Sequence, residues 1–299
     1  MHTTNTKLTT PAGTLKRALL LAPLVAAGAL ALPAAGAHGH AGAASRPSAA
    51  RTAALPHITI TAKDWSMAGP ARVPAGYVRF TIVAPPGPPS QAFVALLKPG
   101  MSRAQAAAVL KKADFGAITT LMTAMGGPAS LGGAADDILD LQAGDGDYAI
   151  FTITQDAKGV SHARYTFISV APAAKPATEP ASTVTVHEMD MKFKLPRTLP
   201  SGDVTLKIVN MGPSIHETVL ARLHQGKTVK QLASYLSQQN PSGPPPADFI
   251  GGAAAMASGH TQWATERLTP GAYVAVCFMP DKQGKPHIAD GMITPFAVR

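Results

Sequence analysis

The sequence predicts an all-β protein built as two tandem antiparallel β-sandwich domains, each with a helical insertion, and three observations carry that expectation. Among its 299 residues, 46% are apolar and only 14% charged, with 27 Gly and 27 Pro. Such a composition buries a core and favours strands joined by turns over a helix bundle or a disordered chain. Second, the chain matches itself: a shift of 126 aligns residues 58–100 with 184–226 without a gap, with 11 of 43 positions identical. Third, both copies contain short segments in which apolar and polar residues alternate with period two.

The first residues read as an export signal. Lys7, Lys16 and Arg17 precede an apolar run from Ala18 to Leu32, and Ala35-Gly36-Ala37 fits a small-x-small cleavage site, so residues 1–37 are expected to be a signal peptide. The run is interrupted by Pro23 and falls short of the roughly 20 residues a spanning helix needs. No Cys follows it to take a lipid, so the mature protein is expected to be exported, periplasmic or extracellular, without a transmembrane segment. Removing these residues takes away three positive and no acidic groups and lowers the formal charge from +9 to +6. The remaining charge forms no Lys/Arg run, which argues against a nucleic-acid partner. One Cys excludes a disulfide-stapled scaffold. The oligomeric state stays open.

Residues 38–55 read as a flexible lead-in, 56–172 as the first domain, 173–182 as a Pro/Ala-rich linker and 183–299 as the second domain. In each copy a strand (Ile58-Thr-Ile-Thr, Val184-Thr-Val-His) is followed by a turn (Pro74-Ala-Gly76, Pro200-Ser-Gly202). A second alternating strand then follows (Val78-Arg-Phe-Thr-Ile, Val204-Thr-Leu-Lys-Ile). Ser102 and Thr228 are N-cap candidates for helices over residues 102–112 and 228–239.

Chemistry concentrates in the second copy. Gly271-Ala-Tyr273-Val-Ala-Val-Cys277 is an alternating strand that delivers Cys277 at its end. His287 follows ten residues on and Met292 five after that, while Asn210-Met-Gly-Pro-Ser-Ile-His216 ends an upstream strand in a second His. A thiolate, two imidazoles and a thioether form a soft donor set suited to copper, with Cys and two His in a plane and a long axial Met.

With those residues in place, the second domain resembles the cupredoxins, the blue-copper proteins. The resemblance rests on the Gly-x-Tyr-x-x-x-Cys strand, the downstream His-x4-Met and the upstream Asn…His loop, and extends more weakly over the first domain. It implies Greek-key sandwiches and one copper ion in the C-terminal domain, with His216, Cys277 and His287 as equatorial ligands and Met292 as axial ligand. A redox partner protein is implied as well. Two departures stand out. Nine residues separate Cys277 from His287, where cupredoxins have two to four; a hairpin tip at Pro280-Asp-Lys-Gln-Gly284 would bring Cys277 opposite Ile288 and beside His287. Glu217 stands where many cupredoxins carry an Asn that ties the ligand loops, and is itself a candidate ligand.

In the first copy the four positions are Ser90, Thr152, His162 and Phe167, so no copper is expected there. His162 reads as an ordinary turn or strand histidine, and His187, His224 and His260 are expected at the surface. Cleavage after Ala37 would start the chain His38-Gly39-His40, whose amine and third-position His suit square-planar Cu(II) or Ni(II). Single-electron transfer is the leading function; a metal-free binding module and copper sequestration or delivery remain open alternatives. No enzyme is expected: Cys277 is flanked by Val276 and Phe278 rather than by the His of a multicopper oxidase, and no hydrolase or phosphate-loop motif occurs.

Overall fold

A computed structural model describes residues 55–299 except 86–89, 131–132, 142–145, 157, 159, 174–177 and 239–240. The expected signal peptide, nearly all of the lead-in, the His38-Gly39-His40 start and part of the linker lie outside the described residues. In the first copy the elements are β1 (His57–Thr61), β2 (Ser66–Ala68), β3 (Arg72–Pro74), β4 (Gly76–Ala84), β5 (Ser90–Gln91) and β6 (Phe93–Leu97). These lead to α1 (Arg103–Leu110), α2 (Phe115–Leu121), β7 (Met122–Gly126), β8 (Pro128–Ser130), β9 (Gly133–Leu141), β10 (Asp147–Gln155) and β11 (Ser161–Ala171). The second copy continues with β12 (Val184–Met189), β13 (Lys192–Lys194), β14 (Thr198–Leu199), β15 (Gly202–Asn210), β16 (His216–Leu223) and α3 (Val229–Leu236). It ends with β17 (Ala247–Met256), β18 (Thr261–Leu268), β19 (Gly271–Val276) and β20 (Ile293–Val298), with a 3-10 turn over His287–Asp290. The fold is all-β, as expected, with the few helices between middle strands.

Both predicted helices form where the sequence can cap them. Ser102 and Thr228 each accept from the backbone N–H three residues on, while Gln105 and Gln231 reach back to the cap N–H. The first copy has a further helix, α2, that the sequence reading did not foresee; Asp114 caps it. The first two alternating strands also differ from expectation. They are not joined by one tight turn: β1 pairs with β4 in parallel, and β12 with β15 likewise. Between them the chain turns through Trp65 and Met191, both in left-handed conformation, and makes β2 or β13. It then crosses to the opposite sheet as β3 or β14 before returning. A parallel partner demands such a crossover.

The two copies share both sheets. One runs β13-β12-β15-β18-β9-β4-β1-β2 and the other β14-β20-β19-β16-β17-β7-β6-β10-β11-β3, so copy meets copy at β18–β9 and at β17–β7. Gln262 pairs with Leu139 and Thr265 with Asp136, a ladder that the 126-residue shift maps onto itself. Each sheet is therefore crossed by a pseudo-two-fold axis at its centre. One large apolar cluster runs from Phe93, Leu110 and Phe151 of the first copy to Leu206, Met256, Tyr273 and Cys277 of the second. Tyr77 and Trp263 stack edge to face across the junction, with centroids 5.2 Å apart.

Close approach at the junction requires glycine. Gly127 and Gly252 occupy equivalent places with φ of 137° and 128°, and an added Cβ would overlap the carbonyl oxygens of Ala92 and Thr218, themselves equivalent. Among the described residues no helix is long and apolar enough to cross a membrane.

Candidate metal centre

The centre forms at one end of β16 and β19, which run antiparallel with Val219 opposite Val276. This register sets His216, at the start of β16, beside Cys277, the residue that follows β19. Upstream, the buried Asn210 organises the loop into His216: its amide donates to the carbonyls of Ser214 and Met256, both at 2.9 Å, and its oxygen accepts from Gly212 N.

His287 arrives from the hairpin that follows Cys277. In the first copy the equivalent hairpin is a plain ladder, with β10 and β11 paired from Asp147–Ser169 to Gln155–Ser161. In the second copy the ladder between β19 and β20 stops at Val276–Ile293. Beyond it Pro280 and Pro286 face each other in an isolated bridge, and neither has an N–H to continue the pairing. The tip closes with Asp281 N donating to the Lys285 carbonyl, and Gly291, at φ 93°, ends the 3-10 turn. The fold-back is secured by Ile288 N to the Cys277 carbonyl at 2.9 Å and His287 N to the Met279 carbonyl at 2.8 Å. Cys277 thus lies opposite Ile288 with His287 alongside, which accommodates the nine-residue spacing.

Three of the four sequence-predicted donors converge. His216, Cys277 and His287 are at most 1% exposed, and their donor atoms all lie within 4.8 Å of one another. Cys277 Sγ is 3.4 Å from His287 Nδ1 and 4.0 Å from His216 Nδ1, and the two Nδ1 atoms are 3.1 Å apart. Ligand bonds of about 2.0–2.3 Å in a trigonal arrangement would separate the donor atoms by about 3.5–3.7 Å, a spacing this group brackets. Met292 is fully buried in the same apolar cluster, its N–H donating to the His287 carbonyl at 3.0 Å and its carbonyl accepting from Cys277 N at 3.2 Å. A second buried thioether, Met279, stands two residues from Cys277 and was not singled out from the sequence.

Surrounding groups define how the donors present themselves. His216 Nε2 is 3.0 Å from Asp190 Oδ1, and because a carboxylate only accepts, that nitrogen carries the proton and Nδ1 keeps its lone pair toward the cluster. Gly212 makes room for the pair: a Cβ there would come within 2.7 Å of Asp190 Oδ1 and 2.9 Å of His216 Nε2. Burial lowers the pKa of both histidines, which keeps the rings neutral, the form that binds a metal. Burial, with the Glu217 carboxyl group adding to it, pushes the Cys277 thiol well up. A cation among the three donors would offset that penalty.

Glu217 is not among the converging donors. Its Oε1 accepts from Phe278 N at 3.1 Å and its Oε2 from the Gln91 amide at 3.4 Å, so it ties the two ligand segments together as the Asn of the resemblance would. In the first copy Ser90 pairs with Ser130, Thr152 is buried in the ladder, and His162 is exposed, 3.0 Å from Asp156. His224 is an exposed partner of Asp248, whereas His187 and His260 prove half-buried rather than at the surface. Alternation along β12 sends Val184, Val186 and Glu188 into the core and leaves His187 on the opposite, partly covered face.

No family model and no curated protein matches the chain. Solved structures do match. One is dithionite-reduced auracyanin from Roseiflexus castenholzii, at 20% identity over 40% of this chain and 99% of that one, TM-score 0.28. Another is auracyanin A, a "blue" copper protein from Chloroflexus aurantiacus, at 19% identity over 38% of this chain and 96% of that one, TM-score 0.26. A copper-containing nitrite reductase from Thermus scotoductus matches at 12% identity over 82% of this chain and 68% of that one, TM-score 0.21. On its own strand order and its buried group of Cys277, His216 and His287, the chain has the all-β fold and three of the four clustered donors that its sequence resemblance implied.

Proposed function

We propose that this chain is an exported copper protein that carries single electrons through one ion, which His216, Cys277 and His287 would hold with Met292 as a fourth donor. The observation that carries the reading is the convergence of one thiol and two imidazoles, all buried, at a hairpin that leaves its ladder to make the contact. Copper in such a donor set supplies one-electron redox chemistry in a nearly fixed geometry. The chain's own residues supply the rest. Asp190 holds the His216 ring and its tautomer, the hairpin backbone fixes His287 through its N–H on the Met279 carbonyl and that of Ile288 on the Cys277 carbonyl, and the apolar cluster keeps water away. Burial of all three donors favours electron carriage over delivery, which requires ligands that a receiving protein can reach. Segments 56–172 and 183–299 act as the two domains of this unit, only the second holding metal.

Adding Cu(II) to the purified chain and recording the visible spectrum beside that of Cys277→Ser tests the reading. The expected result is an intense thiolate-to-copper band in the parent that is absent from the variant. A colourless parent that retains no copper would overturn it, and a colourless parent that holds Cu(I) tightly would favour delivery.

A further inference from the structure

The pseudo-two-fold axis that relates the copies brings equivalent residues face to face, and at one place this happens beside the metal centre. Gln91 and Glu217 are equivalent under the 126-residue shift, and their side chains meet, Gln91 Nε2 donating to Glu217 Oε2 at 3.4 Å. Glu217 is 1% exposed and follows His216 directly; its other oxygen accepts the N–H of Phe278, the residue after Cys277. Gln91 is placed by sheet pairing rather than by a loose loop. β5 pairs Gln91 with Ala129 of β8, and β8 pairs Ala129 with Gly252 of β17, the strand next to β16.

Symmetry sharpens the point. Two glutamates would set two buried carboxyl groups against each other, and two apolar residues would leave the Phe278 N–H without its acceptor. A Gln in the copy without donors, opposite a Glu in the copy with them, supplies the missing N–H. We propose that the first copy is part of the metal centre: Gln91 clamps Glu217, which in turn fixes Phe278 N and with it the end of the strand that presents Cys277. Gln91 and Glu217 are positioning residues, acting through the backbone on either side of His216 and Cys277. The inference rests on the copper reading for its functional meaning, but the clamp itself exists in the metal-free chain.

The test uses the full chain with Gln91→Ala, Gln91→Glu, Glu217→Gln and the exchanged pair Gln91→Glu/Glu217→Gln. The metal-free readout is hydrogen exchange at the Phe278 amide; the loaded readouts are the energy of the thiolate-to-copper band and the reduction potential. Loss of the clamp is expected to speed Phe278 exchange about tenfold in Gln91→Ala and more in Gln91→Glu, where a second acceptor faces the first. The exchanged pair restores donor and acceptor with roles reversed and is expected to return exchange, band and potential toward the parent values, as a coupled pair does. Met125→Ala, which weakens the junction where Met125 pairs with Met256, serves as the stability control and leaves band and potential in place. Unchanged Phe278 exchange in Gln91→Ala would overturn the proposal, as would an exchanged pair no better than its single changes. Exchange that responds while band and potential stay fixed would overturn the link to the metal. If the parent takes up no copper, the copper reading fails, and Phe278 exchange still decides whether the clamp exists.

Discussion

Asp190 and its equivalent Asp64 put one residue type to different uses. Asp64 accepts from Ser66 N and Oγ, at 3.1 and 2.8 Å, and merely closes a turn. Asp190 takes Ser214 N at 3.3 Å and, with Oδ1, the His216 ring. Against the cost of burial, these bonds hold its carboxyl below the usual value. The pair depends on the bare face of Gly212, so Gly212→Ala is expected to push the carboxylate and ring apart and weaken copper binding about 10- to 100-fold, measured by competition with a chelator. Unaltered affinity would show that the pair does not orient His216. At this scale the three converging donors were legible, because Cys277, His287 and His216 announce themselves by type and order. Their supports were not: Asp190, Gln91 and Gly212 act across strands that only folding makes neighbours, and nothing local in the sequence marks them.

At the scale of elements, local chemistry explains what was visible and what was hidden. The two capped helices were legible because Ser102 and Thr228 each precede a Gln at the third helical position. Replacing Thr228 with Ala is expected to cost about 1 kcal/mol, read as a lowered denaturant midpoint. By contrast α2 has seven residues, among them Gly116, Ile118, Thr119 and Thr120, all modest helix formers, and its existence depends on packing of the buried Ile118. The parallel pairing of β1 with β4 was hidden for a different reason: alternation reveals a strand but not its partner. The two hairpins that close the copies differ by their prolines, Pro280 and Pro286 standing where the first copy has Gln155 and Ser161. Backbone crowding sets the strongest demand at the junction. Gly252→Ala is expected to destabilise the chain by about 3 kcal/mol or more, since both its positive φ and the Thr218 carbonyl oppose a side chain. A midpoint shift below that of Thr228→Ala would refute this account.

Taken whole, the molecule joins its copies through buried carboxyl groups as well as apolar ones. Burial pushes the pKa of Glu266 up to about 8, and burial together with the nearby Glu266 raises Asp137 well above the carboxylate range. Both hold a proton more tightly folded than unfolded, so their contribution is complete below the ordinary carboxylate pKa and is lost as pH rises toward about 8. The buried histidines, His216, His260 and His287, are shifted down and oppose this trend only below about pH 6.5. The metal-free chain is therefore expected to have a lower denaturant midpoint at pH 8 than at pH 6.5, and Glu266→Gln to reduce that slope; equal midpoints in the parent would refute the assignment. Separation of the copies tests the junction directly. Residues 183–299 expressed alone would bare β17 and β18, and because the β18–β9 ladder maps onto itself, they are expected to form a dimer by light scattering. A stable monomer would count against the shared sheets.

The long strands β9, β17 and β18 all lie in the middle of the sheets, and the outermost strands are β2, β3, β13 and β14, of only two or three residues each. Short rims are poor templates for another chain's backbone. What began as repetition in the sequence thus ends as protection against self-assembly: the edges most able to recruit a stranger are spent on each other, and the intact protein should stay monodisperse in concentrated solution where either half alone would not.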